Sequence, residues 1–408
     1  VACLESLDKA FDRMNRLGIP HASVPLIKDG CVDTIAELDV IRDWLTSTTS
    51  QSAPKTRSYV SLLRAAHDIF EPSALNSLLA IDPDSGGAEL LPGNLNETET
   101  AAIDWLVAGG KRFRPFIALA AYAAVRKGIG ALEPDALLSD ILTPAAKRIA
   151  LAIEALHKAS LAHDDIEDDD AVRYDRETLH ERYGVPTAIN IGDYLVGLGY
   201  QLIASAGGEL DGARVARILS VFSDAHIKLC KGQGAELAER KNPLETRDPK
   251  TLQTIYALKT APAFEAAFFA GLSLADGIEP YATALRAYSR FLGVAFQIKN
   301  DIDELDLEKA PRKTSASSYP VLWPTFLQAL AVQSGGAAAI DRIRAIDASH
   351  SPASETRASI RALYVELGVL EKAEKIVAAY RDRAFDYARR VGNDALAELL
   401  LFVADTAL

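Results

Sequence analysis

His163-Asp164-Asp165-Ile166-Glu167-Asp168-Asp169-Asp170 closes a long, mostly apolar segment, Ala145 to Ala162, that reads as a buried helix. Six of its last seven residues are acidic. Carboxylates at a helix C-terminus face the negative end of the macrodipole and repel one another. Such a cluster is tolerable if it is fully solvated or if something strongly positive binds it. Asp164 and Asp168 lie one turn apart on one helical face. That spacing suits oxygen-ligand metals such as Mg²⁺, which commonly bind substrate phosphates as well. A solvated acidic loop is the plain alternative for an isolated run of this kind.

The neighbours of the run weigh against that alternative. His157-Lys158-Ala159-Ser160-Leu161 precedes it, and Arg173 and His180 follow. Further on come Gly192-Asp193, Lys259-Thr260 and Phe296-Gln297-Ile298-Lys299-Asn300-Asp301, while Gly109-Gly110-Lys111-Arg112-Phe113-Arg114-Pro115 lies upstream. In this order the set resembles the trans-isoprenyl diphosphate synthase (polyprenyl synthetase) family, from about Asn96 to the C-terminus. The GGKRxRP and HDDxxD motifs together are highly specific. The resemblance implies an all-α fold, an isoprenoid-synthase-type helical bundle around a central active-site cavity. It also implies a Mg²⁺-dependent prenyltransferase that condenses an allylic diphosphate with isopentenyl diphosphate, and a homodimer.

The resemblance assigns roles to particular residues. Asp164, Asp165 and Asp168 match the first aspartate-rich motif, where several Mg²⁺ ions would grip the allylic diphosphate. Coordination makes that diphosphate a leaving group, so the allylic C–O bond ionises. Lys111, Arg114 and His157 match the site for the diphosphate of isopentenyl diphosphate, a polyanion suited to a guanidinium fork plus an ammonium. Arg173 matches the first residue of an Arg-Arg pair on the allylic diphosphate. The second position is Tyr174, a departure that Arg176 could offset. Lys259, Thr260, Gln233 and Gln297 carry over by position. Ala159 and Ser160 precede Asp164 by five and four residues, roughly 6–7.5 Å below the metal site at about 1.5 Å per residue. In the family, bulky residues there stop elongation early, so these small ones point to geranylgeranyl or longer products.

The second acidic motif departs most. Where the family has FQxxDDxxD, the chain has Asn300, Asp301 and Glu304, a metal set with less negative charge. The Gly-Lys-rich loop that follows is shortened to Lys309, Arg312 and Lys313. Asn300, Glu304 and Glu308 share a helical face and imperfectly resemble the metal triad of class I terpene cyclases. A cyclase on the same fold, or a regulatory subunit of a heteromeric synthase, therefore stand as alternatives. Lys111, Arg114 and His157 argue against the first, and the intact first motif against the second.

Composition sets the bounds. With 408 residues, about half of them hydrophobic, a sizeable core is possible. The balance of 44 basic against 56 acidic residues gives −12, which argues against nucleic acid or an anionic membrane as partner. Cys3, Cys31 and Cys230 are odd in number and widely spaced, as expected of reduced cytoplasmic thiols. Val1 stands in place of an initiator Met, so the native start is expected to differ. The uncharged stretch Thr314 to Ile340 has too short an apolar part to span a bilayer, and no integral membrane segment is expected.

Apolar residues recur at three- and four-residue spacing almost throughout, an all-α pattern. Helices are expected at about Glu97–Ala108, Arg114–Lys127, Ala145–His163, Pro186–Ala206, Ala213–Glu239, Lys250–Ala275, Pro280–Glu308, Tyr319–Val332 and Val369–Val391. Asp82–Asn96, rich in Gly, Pro, Asp and Asn, reads as a domain boundary. Residues 1–95 then form a small N-terminal helical extension of unassigned role, with amphipathic stretches at Ile35–Leu45 and Tyr59–Leu79.

Overall fold

The computed structural model describes residues 59–79, 97–132, 138–241, 248–275, 277–306 and 321–408. Every helix expected within them forms, with boundary shifts of a few residues at most ends. In chain order the helices are α1 (Tyr59–Asp68), α2 (Pro72–Leu79), α3 (Glu97–Val107), α4 (Phe113–Lys127), α5 (Pro144–Glu167), the short α6 (Leu179–Tyr183), α7 (Val185–Ser205), α8 (Gly212–Glu239), α9 (Pro249–Ala275), α10 (Ala282–Glu304), α11 (Phe326–Ala348), α12 (Ala353–Glu366), α13 (Val369–Arg389) and α14 (Asp394–Ala407). A two-stranded antiparallel hairpin, β1 (Val172–Arg173) and β2 (Arg176–Glu177), follows α5.

The helix α9 is central and packs against α4, α8 and α10. Residues 266–275 of α9 are buried on every side, as the all-round apolar sequence requires. Glycines let the bundle close: a Cβ on Gly271 would sit 2.2 Å from the Ala118 carbonyl oxygen of α4. Residues 113–132, α4 and the 3₁₀ turn after it, are apolar and long enough to cross a membrane, and most of this stretch lies inside the core.

Two hydrophobic clusters result. The larger takes in α1–α5, α7, the C-terminal half of α9 and α14; the smaller joins the N-terminal half of α9 and the second half of α10 to α11, α12 and α13. Tyr59, Leu62, Ala66, Leu75 and Leu78 belong to the larger cluster. Tyr59–Leu79, read from the sequence as part of an extension, thus contributes to the main core, and the compact unit starts at Arg57. Ile35–Leu45, Glu308, Lys309, Arg312 and Lys313 lie outside the described residues.

Several elements differ from expectation, the hairpin among them. The helix expected over Tyr319–Val332 starts at Phe326 and runs on to Ala348, resuming beyond a break at Gly336 (φ 58°, ψ −142°). The helices α6, α12 and α14 are additions to the expected set. The Asn393 side chain caps α14 by accepting from the Leu396 amide at 2.9 Å.

Candidate active site

The C-terminal end of α5 is tied to α8 through Gln233 and to Arg240 just beyond it, and Lys259 of α9 faces Asp164. Thr143 caps the far end of α5, accepting from the Ala146 amide at 3.1 Å, and Pro144 occupies the first turn. The helix then runs through Glu167 and delivers its carboxylates together. One stripe of α5 packs on α7: a Cβ on Gly199 would lie 2.6 Å from Leu156, and one on Gly192 would lie 2.3 Å from His163. Ala159, buried, falls on that stripe by helical spacing, whereas Ser160 falls on the stripe of His157 and Asp164.

Fixed cations neutralise the flanks of the acidic run. Asp165 is 1% exposed, and its Oδ1 accepts from Arg173 Nε at 2.5 Å and from a second guanidinium nitrogen. Arg173 also lies 3.6 Å from Asp170. Arg240, from the end of α8, donates to Asp168 Oδ1 at 2.6 Å, to Glu236 Oε1 at 2.9 Å and to the Glu167 carbonyl at 3.1 Å. Its guanidinium stacks 4.0 Å from the Trp323 ring centroid. Lys259 donates to Glu236 at 2.9 Å. Gln233 donates to Glu167 at 2.7 Å, and Thr260 donates to Gln297 at 3.1 Å.

Asp164, half-buried, has no cation at ion-pair distance among the described residues. Burial, with Asp168 and Glu167 nearby, outweighs the attraction of Lys259 and Arg173 and pushes its carboxyl up to about 7. Among the described residues no three His, Cys, Asp or Glu side chains converge into a ready-made metal cage. Mg²⁺, however, keeps several waters and typically uses one or two carboxylates plus substrate phosphates. Asp164 and Asp168, one turn apart on one face, are hard oxygen donors that fit such an ion, whereas Asp165, expected as a third ligand, is buried against Arg173.

The second motif sits less openly than expected. Asp301, anticipated as a ligand, is 9% exposed and accepts a 2.6 Å hydrogen bond from Tyr256, whose oxygen receives the Phe326 amide at 3.0 Å. Burial holds its carboxyl well above the usual range, and its hydrogen bond to Tyr256 ties α10 to α9 and, through the Phe326 amide, to α11. Asn300 is half-buried and Glu304 exposed.

The Gly-Gly loop between α3 and α4 presents the basic motif. Gly109 (φ 51°) and Gly110 (φ 100°) turn the chain, and Arg112 also takes a left-handed conformation (φ 48°). That costs a non-glycine residue roughly 1–2 kcal/mol. It is offset by a buried 2.7 Å ion pair with Glu154, a 2.9 Å bond to the Val107 carbonyl and stacking at 4.0 Å on Phe70. Arg112 is therefore an anchor, and the loop exposes Lys111 and aims Arg114 at His157, with Nη1 and Nε2 2.9 Å apart. Burial, then Arg114, hold His157 well below its usual range, which leaves a neutral ring able to accept that bond.

Arg176 is exposed on β2, beside Asp104, Trp105 and Arg182 around a surface pocket, apart from these groups. Sequence reading passed over Glu236, Arg240 and Tyr256. The i,i+4 pairing of Glu236 with Arg240 was legible; their reach to Lys259 and Asp168 was not.

A family model described as polyprenyl synthetase matches residues 96–317. The chain belongs to the polyprenyl synthetase family. It is 30% identical over 314 residues to the short chain isoprenyl diphosphate synthase of Methanothermobacter thermautotrophicus, spanning 76% of this chain and 90% of that enzyme. It is 26% identical over 327 residues to the geranylgeranyl diphosphate synthase of Methanosarcina mazei, spanning 79% and 93%. The crystal structure of geranylgeranyl pyrophosphate synthetase from Pyrococcus horikoshii Ot3 superposes with a TM-score of 0.66 at 26% identity, covering 86% of this chain and 98% of that one. This polyprenyl synthetase is thus a trans-prenyltransferase, and these relatives lend no support to the cyclase or regulatory-subunit alternatives.

Asp164 gives a signed pH dependence. Its folded-state value lies above the ordinary 3.8, so the folded protein holds the proton more tightly than the unfolded chain does. Metal-free protein is most stable, as far as this group goes, below about pH 4 and loses that stability as pH rises to about 7. Asp164→Asn should match wild type in thermal melts near pH 4 with chelator, and exceed it by roughly 3–10 °C at pH 8. Equal melting temperatures at pH 8 would show that the carboxylate is not strained.

Proposed function

We propose that this prenyltransferase condenses an allylic diphosphate with isopentenyl diphosphate to give a longer trans-polyprenyl diphosphate, with Mg²⁺ at the α5 carboxylates. The observation that carries the reading is a pair of sites of opposite sign. Asp164 and Asp168, flanked by Arg173 and Lys259, suit a metal-bridged diphosphate. Lys111 and the Arg114–His157 pair suit a second diphosphate without metal.

Asp164 and Asp168 would hold the ions, with Asn300 and Glu304 completing the set from α10. When bound, the ions withdraw charge from the allylic diphosphate and make it a leaving group. The chain's own residues do the remainder. Arg173 and Lys259 supply fixed positive charge that needs no reorganisation as the diphosphate departs. The Thr260–Gln297 pair offers oxygen dipoles towards a developing allylic cation. Lys111 and Arg114 hold the isopentenyl diphosphate so that its double bond faces the allylic carbon. The apolar Val185, Ile189 and Ile227, exposed on α7 and α8, suit burial against a second copy of the chain.

Radiolabelled isopentenyl diphosphate, supplied with Mg²⁺ and an allylic diphosphate, should appear in longer diphosphates. Lys111→Ala and Arg114→Ala should each raise the KM for isopentenyl diphosphate about tenfold or more, with the allylic KM changed far less. An equal rise for both substrates would reverse the pocket assignment. Hydrocarbon or alcohol formed without isopentenyl diphosphate would reject elongation.

Ser160, one turn below Asp164, supports products of geranylgeranyl length or longer, because a small side chain there leaves room for the growing chain. Ser160→Phe should shorten the product distribution while leaving turnover within about threefold, since the metal ligands are untouched. An unchanged product pattern would remove Ser160 from the tunnel wall. Ala159→Phe tests the buried stripe against α7 and should cost stability as well as chain length.

A further inference from the structure

We propose that Lys158 and Tyr174 form a cation box that locks the Gly109–Lys111 loop and so positions Lys111 and Arg114 for their diphosphate. The link to that diphosphate rests on the function proposed above; the lock itself does not. Lys158 is 0% exposed and points away from the stripe that carries His157 and Asp164. Its ammonium donates to the carbonyls of Ala108 and, at 3.3 Å, of Gly109. These oxygens follow the last turn of α3, where carbonyls lack helical partners and the dipole favours a cation.

Aromatic rings close the rest of the box. The ammonium lies 4.0 Å from the Tyr174 ring centroid and 5.5 Å from that of Trp105. Trp105 is itself fixed by a 3.0 Å bond from Nε1 to the Lys158 carbonyl. Tyr174 covers Gly109 so closely that a Cβ there would meet its Cγ at 2.7 Å. The hairpin sets Tyr174 at φ 55° and Asp175 at φ 57° in a two-residue turn, a conformation uncommon for tyrosine. Surrounding contacts must hold such a residue in place, and here they are the ones that hold the loop.

The same geometry accounts for Tyr174 standing where the family resemblance led one to expect a second arginine. A guanidinium at that position would face a buried ammonium. Burial and Arg112 already push Lys158 down to about 7, against the opposing pull of Glu154. A ring face attracts the ammonium instead. Lys158 and Tyr174 are therefore a coupled pair of positioning residues, and neither needs to touch substrate.

The test uses the full chain with Lys158→Met, Tyr174→Phe, Tyr174→Arg and the double variant Lys158→Met/Tyr174→Arg. Backbone hydrogen exchange of residues 108–113 reads the lock, and the two KM values read its consequence. Lys158→Met and Tyr174→Arg should each speed exchange in the loop and raise the KM for isopentenyl diphosphate about fivefold or more, with the allylic KM within about twofold. Tyr174→Phe, which keeps the ring, should resemble wild type. The double variant should be less impaired than Tyr174→Arg alone, because the like-charge clash is gone. If Lys158→Met does not fold, Tyr174→Leu against Tyr174→Phe gives the same contrast.

Unchanged loop exchange, or a double variant as poor as the two single effects combined, would overturn the box. Faster exchange with an unchanged KM, where Lys111→Ala does raise that KM, would overturn its link to the diphosphate. If Lys111→Ala itself left the KM unchanged, the pocket assignment would fail, and the exchange data would still decide the lock.

Discussion

Six carboxylates gathered at the negative pole of one buried helix form a repulsive cluster that the rest of the structure must answer. The answer is positional. Arg173 comes from the hairpin, Arg240 from the end of α8 and Lys259 from the middle of α9, each meeting an acidic side chain at hydrogen-bond distance. Burial would make the unpaired charges expensive, so each ion pair also fixes the approach of the element that carries it. Asp164 is the exception, strained enough that its carboxyl rises to about 7. Crowding of this kind is what a multivalent cation, as proposed above, would relieve.

The basic half of the site follows the opposite logic. Arg114 and His157 are half-buried and bonded to each other, and the Arg114 Nε, buried without a hydrogen-bond partner among the described residues, is left for an anion. Lys111 stays exposed on a loop of left-handed residues. The rigidity of that loop comes from outside it, through Arg112 on Glu154 and Phe70, and through Lys158 under the Gly109 carbonyl. Phe70 lies in the turn between α1 and α2, which gives this early part of the chain a mechanical tie to the site.

Much of this was legible in sequence because it depends on local spacing. The apolar periodicity placed the main helices, and the i,i+4 relation of Asp164 and Asp168 put two acids on one face. The pairing of Arg114 with His157 was foreshadowed by motif order. What escaped depends on tertiary approach. Asp165 reads like its neighbours in the run, yet its phase on α5 turns it into the core towards Arg173. Asp301 has the same ambiguity and meets Tyr256, 45 residues away. Ala159 and Ser160 are adjacent in sequence but fall on different stripes of α5. The break in α11 was hidden because Gly335-Gly336 is as compatible with a stop as with a kink. By contrast, α14 had a readable start in Asn393 before an apolar run.

The central claim is that the α5 carboxylates become a metal site only together with a diphosphate. Calorimetric titration of Mg²⁺ into the protein, with and without inorganic pyrophosphate, tests it directly. Binding to the protein alone should be weak, affinity should be about tenfold or more higher once pyrophosphate is present, and Asp164→Ala should lose that gain. Equally tight Mg²⁺ binding without pyrophosphate, or a gain that survives Asp164→Ala, would contradict it.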